Sequence, residues 1–415
     1  MTKSGLRARS LTAVGSSPTL ASFHAPGYPA LWSSGAAAGF GRSATLVAVG
    51  WIALVATDSV LVVGATFAIR LVPSLLFGIP LGGLVDRYDR RATLILVNLA
   101  ATVPLIWAAV IAGTGTLSVT GLLLLSLALG LIDTLTGTAT QTYSVDLVGA
   151  GGATNAIALG NLGVYLAGAV GSIVAGIVLD RIGVGSPFIL SAVMAVAAAA
   201  CLVVGGAHGR RERPPPHLVP SLSRSMTLIL RNRRAALIAL VVVTCEVFGF
   251  SSLTTFPTFA RDVLGSDAAG LGGLATARQI GAIAGLLVLA RAGLAGSRGG
   301  RMVLIATFTM GIGLVAFALS TSFALSFVLL VVVGAAMASS DTLGQSLLQR
   351  NVDDAERGSA VGIWFFAIGF GPVGLVALGA AANAIGAPAA LAISGAILTL
   401  FALALSRVAA LHELV

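Results

Sequence analysis

Charge is what this sequence lacks most. Only 9% of its 415 residues are Asp, Glu, Lys or Arg, against 57% hydrophobic, whereas a soluble domain carries about 25% charged residues. A soluble fold is excluded on that ground alone. Cysteine is nearly absent as well: the only two, Cys201 and Cys245, both lie in apolar runs, so neither a disulfide framework nor a zinc site is indicated. No His-Glu-x-x-His motif, nucleophile elbow of the Gly-x-Ser-x-Gly kind or phosphate-binding Walker loop occurs. An intramembrane enzyme and direct drive by ATP are therefore disfavoured, and no cofactor is called for.

What is present is a succession of apolar runs, each long enough to cross a bilayer as a helix. They fall at about 30–56, 60–85, 92–113, 117–143, 155–179 and 187–205. Six more fall at 235–260, 268–290, 302–320, 322–348, 360–383 and 388–406. The fold class expected is an all-α membrane protein of twelve spans. A bundle over 29–206 and another over 235–408 are joined by a basic linker, 207–234. A tail of 28 residues precedes them, read as mobile, and one over 409–415 follows.

The net charge of +9 suggests a nucleic-acid partner only in a soluble protein; here it reports topology. With both termini inside, all but five of the 24 Lys and Arg fall on the cytoplasmic side. The exceptions are Arg181 and Arg261 outside, and Arg42, Arg70 and Arg278 within spans. Positive loops stay cytoplasmic, so both termini are expected there, in the inner (plasma) membrane.

The loop after the second span, from Gly82 to Arg91, is the most charged short connection. It holds Asp86, Arg87, Asp89, Arg90 and Arg91. Six further charges lie inside apolar runs: Asp133, Glu246 and Asp341, with Arg42, Arg70 and Arg278. Each costs about 2.5–3.5 kcal/mol at a helix centre, so such residues are expected to be paired or functional. Sliding the chain by 208 residues aligns Arg70 with Arg278, Asp133 with Asp341, Gln141 with Gln349 and Asp146 with Asp354, and puts Ala38 opposite Glu246. Two like-directed six-span halves imply a pseudo-twofold axis along the membrane normal.

These residues carry a resemblance. The run Gly82-x-Leu84-x-Asp86-Arg87-x-x-Arg90-Arg91, Asp146-Leu147-Val148 followed by Asn155-Ala156, Gly171-Ser172-x-x-x-Gly176, and Arg357-Gly358 leading to Gly371-Pro372-x-Gly374 resemble the major facilitator superfamily. Within it they are similar to the drug:proton antiporter branch that includes siderophore and macrolide exporters. Ser172 stands where antiporters often carry proline, and Asp89 where most members have glycine. The resemblance implies a pocket lined by spans one, four, seven and ten. Glu246, Asp133 and Asp341 are then the proton-coupling candidates. Arg42, Gln141, Gln349, Thr254 and Trp364 are the cavity candidates. Gly82, Asp86, Arg87, Arg90, Arg91 and Asp146 would form a cytoplasmic gate, Asp86 meeting the N-terminus of span eleven and Arg90 bridging Asp86 to Asp146. Arg70, Arg278, Gly171, Gly176, Gly371 and Pro372 are expected to be structural.

Proton coupling needs a carboxyl group that alternates between a desolvated site and one beside a guanidinium; Glu246 is the first choice for it and Asp133 the second. The function expected is a proton-coupled exporter of a small amphipathic compound such as a drug, antibiotic or siderophore. Its partners are the bilayer, the solute and protons, with no nucleic acid, and a monomer is the family default. Two alternatives stay open: a facilitator or importer of an anionic or zwitterionic solute, and a non-transporting sensor or assembly subunit.

Overall fold

A computed structural model describes residues 18–85, 88–207, 222–292, 299–352 and 356–407. Among them are twelve helices long and apolar enough to cross a membrane. In chain order, α1 is Tyr28–Thr57, α2 Val60–Val85, α3 Arg90–Gly113, α4 Val119–Val148, α5 Ala153–Arg181 and α6 Ser186–Gly205. The second half begins with α7, the span Arg233–Val263. It continues with α8 (Ala268–Ala292), α9 (Gly299–Ala318) and α10 (Phe323–Arg350). The segments Arg357–Ile368 and Gly371–Ile385 together make α11, and Ala387–Leu405 is α12.

Capping and turn chemistry fix where these helices begin and end. Asp89 accepts from the Ala92 N–H at 2.8 Å and so starts α3, which gives that residue a purpose as an N-cap. Ser118 caps α4 through the Gly121 N–H at 3.2 Å. Two spans are interrupted. In α7 an α-helix over Arg233–Phe248 gives way to a tighter 3-10 stretch, Phe250–Thr255, and a wider π turn, Phe259–Val263. In α11 the segments Arg357–Ile368 and Gly371–Ile385 meet at Gly369-Phe370, with Pro372 in the first turn of the second segment, where its missing N–H costs nothing.

Two segments depart from the sequence expectation. Pro18–His24, read as part of a mobile tail, is a 3-10 turn held against the bundle. Ser22 donates to Asn155 Oδ1 at 2.6 Å, and Phe23 packs edge-on against Tyr28 and Trp32. Within the linker, Leu222–Arg231 is a short helix whose Ser225 hydroxyl donates to the Ser359 carbonyl at the start of α11.

Within each half, α1 packs on α5 and α6, α2 on α4, and α3 on α6; the second half repeats the scheme with α8 on α10 and α9 on α10 and α12. The halves meet along two seams, α5 against α8 and α2 against α11. Large apolar side chains remain exposed on the outer faces of α3, α6 and α12, among them Leu96, Val103, Ile189 and Leu400. A surface so apolar faces lipid rather than water.

Close helix approaches mark the pseudo-twofold axis. A Cβ on Gly130 of α4 would collide with the Arg70 carbonyl of α2, and one on Gly334 of α10 with the Arg278 carbonyl of α8. At the seams, Gly64 meets the Leu375 carbonyl as Gly272 meets that of Ser172, and Gly379 meets Val60 as Gly176 meets Ala268. These pairs relate α2 to α8 by 208 residues, α4 to α10 by 204 and α5 to α11 by 203. The slip arises because α9 is 20 residues long where α3 is 24. Substituting Ala at Gly130 or Gly334 is expected to lower thermal stability by about 1–3 kcal/mol through overpacking, with unchanged unfolding temperatures as the contrary result.

Candidate functional site

The first-half charges form one cluster. Arg42 comes from α1, Arg70 from α2 and Asp133 from α4, and the carboxylate lies between the two guanidiniums. Arg42 Nε is 3.1 Å from Oδ1 and Arg70 Nε is 2.8 Å from Oδ2. Arg70 Nη1 also donates to Thr45 Oγ1 at 3.2 Å, and Thr45 in turn donates to the Arg42 carbonyl at 2.8 Å. The Arg70 side chain is 8% exposed and that of Arg42 40%. Arg70 is thus the buried anchor, while Arg42 keeps a partly exposed edge. One anion against two cations leaves the cluster with a formal surplus of one positive charge.

The second-half charges are arranged differently. In the sequence Arg278 and Asp341 repeat Arg70 and Asp133, yet no ion pair joins them, and Arg278 Nε is buried without a hydrogen-bond partner. The four-residue slip explains this. With α10 related to α4 by 204 residues, the spatial counterpart of Asp133 is the buried Met337, and Asp341 sits one turn, ~6 Å, nearer the linker end. Glu246, 8% exposed, lies against Gly371, where α11 resumes after its break; Glu246 Oε2 would be 3.3 Å from a Cβ there. Among the described residues, no basic nitrogen lies within 4.0 Å of Glu246 or Asp341. The two acids lie in each other's field. Beside Asp341 is Trp364, whose buried indole N–H is a polar neighbour of the carboxylate. Tyr165 of α5, which the sequence reading missed, reaches across from the first half into the field of Asp341, Arg278 and Arg42. Its only signal was rarity, as one of four tyrosines.

The other cavity candidates divide. Gln141 is exposed and Gln349 partly so, near the linker ends of α4 and α10; in space the counterpart of Gln141 is Gln345, not Gln349. Thr254 is a correction. It is 0% exposed, its hydroxyl reaches the Leu375 carbonyl at 3.5 Å and its methyl packs at Gly64, so it belongs to the α2–α11 seam and not to a cavity wall.

Of the gate residues, Asp86 and Arg87 lie outside the described residues, and Gly82 is in the last turn of α2. Arg90 and Asp146 are brought together at 2.5 Å, both largely buried, tying α3 to the end of α4. Arg91 instead serves α6, donating from Nε to the Leu202 carbonyl and from Nη2 to that of Val203, both at 2.9 Å. The Val203 carbonyl is one that a helix end leaves open, whereas that of Leu202 also accepts from the Gly206 N–H. Gly171 admits the α1 backbone at Phe40, and Gly176 the start of α8.

Hydrogen bonds also join the two halves directly. Among the described residues, the hydrogen bonds crossing between them run from mid-depth to the end opposite the linker. Gln279 donates to Ser43 Oγ at 2.9 Å and Thr276 to the Ala169 carbonyl at 2.7 Å; Asp180, Asn383 and the Arg261–Asp58 pair follow beyond. These bonds tie the halves together at that end.

Comparison with known proteins gives a consistent result. A family described as transmembrane secretion effector matches residues 17–414. A search of curated proteins finds no match. Among solved structures, the nucleoside transporter NupG superposes with a TM-score of 0.71 at 15% identity, covering 92% of this chain and 99% of that one. A bacterial homolog of the human lysosomal transporter Spinster, inward-facing and unoccupied, gives 0.70 at 16%, with 96% and 98% covered. An autoinhibited peptide transporter of the POT family gives 0.71 at 12%, with 91% and 96% covered. At these identities the likeness concerns the fold.

Proposed function

The chain belongs to the major facilitator superfamily, in the family of transmembrane secretion effectors, and from that premise we propose that it exports a small amphipathic compound in exchange for protons. The observation that carries this reading is the pair of second-half carboxylates, the buried Glu246 and the partly buried Asp341, without a cationic partner among the described residues. A carboxyl group in apolar surroundings is cheap only with its proton on. Proton release requires water or a cation to reach it, and alternating access supplies that change. Asp133 suits the role less, since both of its oxygens are already held by guanidiniums. The direction of transport is supported by the secretion named in the family's description.

In this reading the basic linker end is cytoplasmic, by the charge bias of the loops, and the inner membrane is the location. The cross-half bonds of Asp180 and Asn383 then lie on the outer side. Asp86 would complete the inner gate with the N-terminus of α11 and with Arg90 and Asp146 when the transporter turns outward.

The experiment is transport in proteoliposomes. A thermal-shift screen of a macrolide, a siderophore and ethidium chooses the compound, and its accumulation is followed with and without an uncoupler. Collapsing the proton gradient should abolish uphill movement; unaffected accumulation would reject proton coupling. A second reading, facilitated passage of an anionic or zwitterionic solute, is favoured by the half-exposed Arg42 and the unbonded Nε of Arg278. It predicts movement down a gradient only, insensitive to the uncoupler.

A further inference from the structure

At the end opposite the linker, the first N–H groups of two helices are taken by acceptors from the other half. Asp180, in the last turn of α5, accepts from the N–H of Ala268 at 3.2 Å and of Ala269 at 2.7 Å, the first two residues of α8. Asn383, in the last turn of α11, accepts through Oδ1 from the N–H of Val60 at 2.8 Å and of Leu61 at 3.4 Å, the first two residues of α2. The residue offsets that relate the halves carry Asp180 onto Asn383, and Ala268-Ala269 onto Val60-Leu61.

Each capped helix also has a partial cap of its own. Asp267 accepts from the Gly270 N–H at 3.0 Å, and its counterpart Ser59 from that of Val62 at 3.4 Å. The local cap serves the third helical residue and the cross-half acceptor serves the first two. The first-turn N–H groups of a helix have no partner inside it. When this end opens, those of α2 and α8 lose their acceptors in both halves together. The seams beneath are tight, with Gly176 against Ala268 and Gly379 against Val60, so a small rotation separates both acceptors from their donors. The exposed Arg261–Asp58 pair crosses the halves at the same end, but an exposed ion pair contributes little.

We propose that Asp180 and Asn383 are the paired latches of this end: together they set the balance between the state closed there and the state open there. They are not equivalent. Asp180 adds negative charge at a helix N-terminus, which the peptide dipoles favour. Asn383 is neutral and instead anchors itself by donating from Nδ2 to Ser59 Oγ at 2.8 Å. The proposal rests on the reading that the two halves rock, but not on any substrate or on protons.

The test measures distance, without added solute. In the full chain carrying Cys201→Ala and Cys245→Ser, spin labels at Ile182→Cys and Ile385→Cys, exposed residues just beyond the two latches, report the separation of the halves in nanodiscs. Removing an N-cap acceptor corresponds to about fivefold in an equilibrium, and removing two independent ones to about twenty-fivefold. D180A/N383A should shift the distribution to the longer distance by about that factor, each single variant by the smaller one. An unchanged distribution in a folded double variant overturns the proposal. Should the double variant fail to fold, D180N decides, since it keeps an acceptor but loses the charge. A shift of about twofold to fivefold towards the open state supports the latch, and no shift overturns it. Loss of transport with unaltered distances counts against a latch role and leaves the transporter reading intact.

Discussion

Glu246→Gln should leave a folded protein that equilibrates its compound across the membrane and no longer accumulates it. A one-for-one exchange driven by about 100 mV can sustain a gradient of about fiftyfold; the variant should hold none, because an amide cannot carry the proton. Folding should survive, since the wild-type carboxylate makes no ion pair with a described residue and the amide has its shape. The two can be told apart in one preparation, by uphill accumulation in the presence of a gradient and by counterflow in its absence. Full accumulation by the variant moves the proton to Asp341, whose replacement by Asn is the matching experiment.

Asp133→Asn should do the opposite, harming stability before transport. Two guanidiniums from α1 and α2 converge on this carboxylate at 3.1 and 2.8 Å. Removing its charge leaves both cations facing each other in a medium that penalises even one. Breaking a fully buried pair costs about 3–5 kcal/mol; with Asp133 28% and Arg42 40% exposed, solvent screening reduces this to about 1–3 kcal/mol, still enough to lower the melting temperature measurably. Arg42→Met in the same chain should restore part of the loss, by removing the surplus charge and keeping the anchor Arg70. A variant as stable as the wild type would show that solvent already screens the cluster fully.

Much of this was readable in the sequence because a bilayer imposes a simple code. Apolar length specified twelve spans, and loop charge marked one end as basic. Six buried charges stood out because they are expensive. The pairing of those charges was not readable. Asp133-Thr134-Leu135 and Asp341-Thr342-Leu343 are identical strings 208 residues apart, yet a four-residue deficit in α9 displaces them by one helical turn. A deletion inside Ala-, Leu- and Val-rich sequence leaves no trace, and so equal spacing in the sequence hides unequal placement in space. Thr254 failed for a related reason: a threonine in an apolar helix looks the same at a seam and at a cavity wall. The linker helix was legible and missed, since Leu222, Met226 and Ile229 recur at helical spacing behind the Pro214–Pro216 run. Asp180 and Asn383 become mates only at an offset of 203, visible once the helices are superposed.

The account stands or falls on whether protons move with the solute through the second-half carboxylates. The most direct measurement is a pH-sensitive dye sealed inside proteoliposomes, with an outward solute gradient applied at zero potential and no initial pH difference. The account predicts that solute leaving the lumen acidifies it through wild-type protein, and that Glu246→Gln lets solute move without the pH change. Solute movement through the wild type with a flat dye signal would contradict it.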